Sequence, residues 1–345
     1  MPPDLSRRRF LQGAAATLPA GWAWHDAHAQ VATSSLAPTK IDVNARKIPF
    51  FDPRDESHVR YGSLEFRSGL VLTSSHRGFG GLSGLHLDKK GEQFVTLSDK
   101  GEWFTGRLVY VGKNLTGLAD VMAAPMLAGD GKRITSRGWF DTESLTFDGA
   151  IAYVGIERAN QILRFDFAKG GIASRGEPIA VPDGVSRLPF NKGLESIAFV
   201  PKGQQLSGAL IAISERGLDA DGNIMGFLIG GPMPGSFTVK RDRNFDISDA
   251  MILPSGDLLL LERKFSMLEG VGIRIRRVPL AMLKPNAVID GPTIFDVDLG
   301  YEVDNMEGIA SHVTPEGETV LTMISDDNFS MIQRTLILQF TLVDA

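Results

Sequence analysis

The chain contains no cysteine in 345 residues, so disulfides, thiolate nucleophiles and zinc–thiolate sites are excluded together. Histidine is sparse as well. Beyond residue 30 only His58, His76, His86 and His312 remain, without HExxH or another paired spacing, which disfavours zinc. No apolar run after the N-terminal segment is long enough to cross a bilayer, and few stretches carry the 3.6-residue period of an amphipathic helix. There is no GxSxG in a strand–turn–helix context, so no nucleophile elbow. Positive charge is not in excess either: the formal net charge is −5, which argues against nucleic acid or an anionic membrane as the main partner. Stability has to come from core burial, closure of an array of sheets, or a bound cation.

What is present begins with an address. Ser6 to Gln12 carries Arg7, Arg8 and Arg9, a short apolar run follows, and Ala27-His28-Ala29 forms a small-x-small cleavage site. The segment resembles a twin-arginine signal, with Arg7 and Arg8 as the pair. That implies residues 1–29 are removed after export by the twin-arginine machinery to the periplasm or medium, with no stable membrane anchor. Residues 30–59 read as an extended lead, and residues 60–345 as one all-β domain.

Within that domain one grammar recurs: an acid, a short apolar strand, a turn, and a second strand ending in an acid followed by a base. It occurs around Ser83, Glu143, Glu195, Asp249 and Glu307, at steps of 60, 52, 54 and 58 residues. A period of this kind is the signature of a β-propeller. Two strands within Arg60–Ser74, joined near Ser68-Gly69, are placed to complete the C-terminal blade with the strands of Arg334–Val343. LADVMAAPML (118–127) reads as a short helix. The alternating Ile and Arg of residues 273–277 read as a strand with one wet face. Asp219, Asp221 and Asn223 imitate a calcium loop but lack its glycine and terminal glutamate, leaving a polar turn.

Two acidic series follow from the repeat. Glu143, Glu195, Asp249 and Glu307 form the first, with Ser83 as the exception. Asp99, Glu157, Glu215, Glu262 and Asp326 end the following strands. In a propeller, equivalent positions of different blades meet near the channel mouth, so a sequence period becomes a ring of carboxylates. Such a ring is unfavourable without a compensating cation, base or proton. Calcium fits, because it accepts six to eight oxygens in loose geometry; Glu143, Glu195, Asp249, Glu307, Glu157 and Asp326 are its candidate ligands. Lys100, Arg158, Arg216 and Arg263 each follow a second-series acid. Arg158, Arg216 and Arg263, with Glu215, are candidates for an anion clamp beside the metal. Alternatively each base pairs with an acid of a neighbouring blade and holds the blades together. A triad of Ser83, His76 and an acid is a further option with weaker support.

The text GGLSGLHLD, DTESLTFDG with YVGIER, NKGLESIAF with ALIAISER, and NMEGIA with LTMISDDNF resembles the phytase-like family described as having esterase-like activity of phytase, from about Gly62 to Phe340. The resemblance implies an exported propeller and favours six blades over the five repeats visible. It implies a calcium-dependent hydrolase of phosphoric esters acting on a small anionic or ester substrate. A carboxylic esterase or lactonase, and a non-catalytic, calcium-stabilised binding propeller, remain as alternatives.

Overall fold

A computed structural model describes residues 35–266 and 270–343; the twin-arginine segment lies outside them. Among the described residues no helix is long and apolar enough to cross a membrane. The strands form five antiparallel-dominated sheets, each begun by one of the five repeats. Blade one runs Leu82–Leu87, Gln93–Ser98, Glu102–Val111 and Asn114–Pro125 from the inside outward, with Thr39–Lys40 at its edge. Blades two, three and four start from Thr142–Asp148, Leu194–Phe199 and Asp246–Ile252. Blade five starts from Asn305–Val313 and continues through Thr319–Asp326, Thr335–Leu342, Leu64–Ser74 and Val43–Ile48.

Six blades are therefore not found. The length that seemed to leave room for a sixth is spent inside the five: blade one has outer strands of ten and twelve residues, and blade two inserts two 3-10 turns between strands. The terminal-strand clasp also differs from the one expected. Leu64–Ser74 is a single strand, not a hairpin turning at Ser68-Gly69, and it pairs with Thr335–Leu342 on one side and Val43–Ile48 on the other. Among the described residues no strand ladder joins one sheet to another. Residues 118–125 are strand, contrary to the helix expected, and Leu127 begins another, because Met122, Ala123 and Ala124 pair with Thr105, Phe104 and Trp103. The lead also contributes strands from Thr39 onward.

Local chemistry accounts for the hairpins. Asp148-Gly149 turns the chain between Thr142–Asp148 and Ile151–Ile156, with Gly149 at φ 58°, the left-handed geometry such two-residue turns require. Apolar side chains of facing sheets fill the space between blades. Trp103 of blade one is fully buried and meets the Phe165 ring of blade two edge-on at 5.2 Å between centroids. The innermost strands of consecutive blades pack side by side, which brings their N-terminal ends to one mouth.

Candidate functional site

Every innermost strand slips register once, at the same height. The slips fall between Ser83 and Leu85, Thr142 and Ser144, Leu194 and Ser196, Ile247 and Asp249, and Met306 and Gly308. Each is a β-bulge, a device that re-aims one side chain out of the ladder. The re-aimed residues are Gly84, Glu143, Glu195, Ser248 and Glu307. Three blades thus deliver a glutamate and two do not. In blade one the position is glycine at φ 66°, and a Cβ there would come within 2.9 Å of the Leu145 backbone of blade two. No side chain fits.

The next layer comes from the second strands. By pairing, Ser98, Glu157, Glu215, Arg263 and Asp326 are equivalent. Arg263 therefore stands in blade four where blades two, three and five carry an acid. Glu157, Glu215, Arg263 and Asp326, with the bulge glutamates Glu143, Glu195 and Glu307, line a cavity of about 260 Å³ together with Asp99, Asp141, Arg158, Asn191 and Asn328. Eight carboxyl groups face two guanidinium groups. Asp141, Asn191 and Asn328 all hold left-handed backbone, at φ 55°, 58° and 48°.

Arg263 is the hub. Its guanidinium donates to Glu307, to Asn305 Oδ1 at 2.6 Å and to Glu195 Oε1 at 3.2 Å, with Glu215 Oε1 at 3.5 Å. Burial works against its charge, but Glu307, Glu195, Glu215 and Glu143 together raise its pKa above the ordinary arginine value. One cation does not neutralise the well. Burial and the Glu307 charge hold Glu143 well above the usual carboxylate range, and Glu195 is raised by burial despite Arg263. Burial and Glu215 push Glu157 to about 7. Burial and Glu307 push Asp326 to about 8, and burial raises Asp99 to about 6. Glu157 Oε1 accepts the Gly193 N–H at 3.0 Å. Asp326 accepts the Asn328 N–H at 2.6 Å.

Most of the expected site residues meet here: Glu143, Glu157, Glu195, Glu215, Glu307, Asp326, Arg158 and Arg263. Asp249 does not. A one-residue slip moves a side chain to the opposite face of its strand, and the bulge in blade four falls on Ser248. Asp249 instead accepts the Ala250 and Ile309 N–H groups at 2.8 Å, tying blade four to blade five. Arg216 is diverted too. It donates to the buried Asp246 of blade four, through Nε at 2.8 Å, and lines a neighbouring cavity. That is the blade-to-blade pairing the sequence left as the alternative to a clamp. Arg158 pairs with Asp141 and is 43% exposed, over the Phe190 ring.

Glu262 has left the mouth altogether. It lies wholly buried between Arg274 and Arg276, accepting their Nε–H groups at 2.8 Å each. The face of the Ile-Arg strand expected to be wet is thus dry: Arg274 and Arg276 are 1% and 2% exposed. Lys100 lies over the Phe329 ring at 2.7 Å from its centroid. The Ser83 hydroxyl donates to Glu307 Oε2 at 3.3 Å, whereas His76 is bonded to Glu102 at 3.2 Å; no Ser83–His76 pair forms.

The donors in the well are all oxygen, the set preferred by a hard cation such as calcium and poorly suited to zinc. Among the described residues, no group of three or more His, Cys, Asp or Glu stands arranged to hold a metal ion. The Arg263 guanidinium stands among Glu195, Glu215 and Glu307. Glu143, Glu157 and Asp326 have no ion-pair partner among the described residues.

A family model described as phytase-like, esterase-like activity of phytase, matches residues 77–329. No curated protein matches. Among solved structures, a putative oxidoreductase (glucose dehydrogenase) from Thermus thermophilus is 16% identical, with a TM-score of 0.35, covering 86% of this chain and 99% of that one. The WD40 repeats of RRP9 are 9% identical, with a TM-score of 0.43, covering 82% and 100%. A protein of unknown function from Bacteroides caccae is 10% identical, with a TM-score of 0.31, covering 72% and 70%.

Proposed function

Because the chain belongs to the phytase-like family described as having esterase-like activity of phytase, we propose that it is an exported, metal-assisted hydrolase of ester bonds. Its reacting centre is the acidic well, and its substrate is a phosphoric ester. The carrying observation is the concentration of eight carboxyl groups around two ion-paired guanidinium groups in a cavity of about 260 Å³. A bound divalent cation there would supply Lewis-acid polarisation of the ester and a more acidic water.

The remaining roles belong to the chain. Glu143, Glu157 and Asp326 would hold the cation. Arg263 fixes Glu195, Glu215 and Glu307, so it positions acids and does not grip an anion. Arg158, half-exposed at the rim, is the cation free to swing from Asp141 onto a nonbridging substrate oxygen. Glu157, whose pKa in the metal-free well lies near neutrality, would give up its proton when the cation binds, so cation uptake at pH 7 should release protons. Arg216 and Asp249 have no part in the reaction.

Chelator-treated protein should release little alcohol from 1-naphthyl phosphate, and calcium should restore turnover. Equal turnover with and without chelator would overturn the metal-assisted reading. Arg7→Lys with Arg8→Lys should hold the protein in the cytoplasm if export follows the twin-arginine route. A carboxylic ester substrate is the second reading, favoured by the apolar wall beside the well.

A further inference from the structure

Next to the acidic well lies a second cavity, of about 540 Å³, that shares Glu215, Arg263 and Asn328 with it. Its character is different. Phe265, Val271, Leu299 and Ile332 form its apolar wall, and Phe265, Leu299 and Ile332 are 78%, 52% and 91% exposed. Several polar groups along the same cavity are already engaged: Arg216 with Asp246, Asn305 Nδ2 with Glu307 Oε1 at 2.7 Å, Gln333 with Asp304, and Lys264 over the Phe245 ring. Beside them lies exposed hydrocarbon, and an exposed apolar patch continuous with a polar pocket is the usual form of a ligand subsite.

Charge restricts the occupant further. A polyphosphorylated substrate would have to enter a well of eight carboxyl groups whose two guanidinium groups, Arg158 and Arg263, are already ion-paired. The field repels a polyanion. A molecule with a single reacting group and an apolar remainder brings far less charge into the well than a polyphosphate does, and its remainder can reach Phe265 and Leu299 while the reacting group enters the well.

We infer that this cavity is the subsite for an apolar aryl or alkyl group of the substrate, so that the preferred substrate is an ester of a hydrophobic alcohol and not a polyphosphorylated polyol. That the group belongs to an ester rests on the hydrolase reading. The apolar subsite itself does not.

The test separates the two. Binding of 1-naphthol, followed by its fluorescence in calcium buffer, requires no turnover. Phe265→Ser combined with Leu299→Ser should weaken it about tenfold, since both side chains supply contact area and neither is buried in the core. Val111→Ser, at an equally exposed and remote turn, should leave it unchanged. With 1-naphthyl phosphate the double variant should raise KM about tenfold with little change in kcat. Inositol hexakisphosphate should be the poorer substrate and indifferent to the substitutions. Loss of 1-naphthol binding in a protein that turns over no ester would support the subsite and defeat the hydrolase reading. Absence of 1-naphthol binding to the native chain, binding unaffected by the double substitution, or preference for inositol hexakisphosphate would overturn the inference.

Discussion

Adjacent residues of one strand, Glu262 and Arg263, head two buried charged clusters of opposite design. Glu262 faces Arg274 and Arg276, whose outer nitrogens reach Asp242 and Asp290 at 2.8 Å, and Arg274 also stacks on Phe245 at 4.1 Å. Charges there are nearly matched and every guanidinium is shared between acids. Arg263 faces the reverse situation, one cation among many carboxyls, several held above their ordinary pKa by burial. A matched buried network accounts for itself as structure. An unmatched one carries a standing electrostatic cost that a ligand can relieve, which is the pattern of a functional site.

The largest effect should come from breaking the matched cluster. Glu262→Gln leaves two buried guanidinium groups sharing a neutral amide, and removing one partner of a buried ion network costs about 3–5 kcal/mol. Urea unfolding should show that loss, and calcium should not restore it. Adding Arg274→Met and Arg276→Met should recover much of the stability, because an apolar replacement of the whole set removes the unpaired charge.

Arg263→Met should behave differently. It deprives Glu195, Glu215 and Glu307 of their shared cation, costing about 3 kcal/mol at pH 8, but acids can escape by protonation where arginines cannot. The loss should shrink at pH 5, and calcium should raise the melting temperature more than in the native chain by linkage. An equal, calcium-insensitive loss in both variants would erase the distinction between the clusters.

The native chain should itself report the imbalance through pH. Glu157 moves from 4.5 to about 7 and Asp326 from 3.8 to about 8 on folding. Between those values the folded state keeps protons that the unfolded chain has released, so stability falls as pH rises. With chelator present, these two groups alone give a slope of about −2.5 kcal/mol per pH unit near pH 6. Saturating calcium should flatten it, and urea midpoints at pH 5 and 8 in both buffers provide the check.

How much of this could be read from the sequence depended on which period was being read. Spacing near fifty to sixty residues identified five repeats, and those are the five blades; it also gathered Glu143, Glu195 and Glu307 correctly, since each is the residue its bulge re-aims. It failed where one residue decides the face. Glycine and serine occupy the bulge in blades one and four, so a series aligned on acids drew in Ser83 and Asp249 from neighbouring positions. The same habit aligned Glu262 with Glu157 and Glu215, although the ladder makes Arg263 their equivalent. Two arginines spaced two apart on the next strand were the available sign, because same-face bases at 274 and 276 need an acid opposite. The cavity bounded by Phe265, Leu299 and Ile332 left no periodic trace at all. It joins the far end of one strand pair, where Phe265 faces Val271, to turn residues Leu299 and Ile332 of other segments, and such a juxtaposition carries no period.

Arg158 provides the smallest effect on stability and the sharpest on role. Its partner Asp141 is only part-buried and the guanidinium is 43% exposed, so the pair falls in the class worth about 0–1 kcal/mol. Arg158→Ala should therefore leave the urea midpoint nearly unchanged, in contrast to every substitution inside the two buried clusters. If the side chain meets a phosphoryl oxygen, turnover of 1-naphthyl phosphate should fall by about a hundredfold, the loss of a charge-assisted contact of about 3 kcal/mol. Turnover of 1-naphthyl acetate should drop much less, since a carboxylic ester presents no anionic oxygen in the ground state. A uniform drop for both esters would assign Arg158 to the shape of the mouth and remove it from anion recognition.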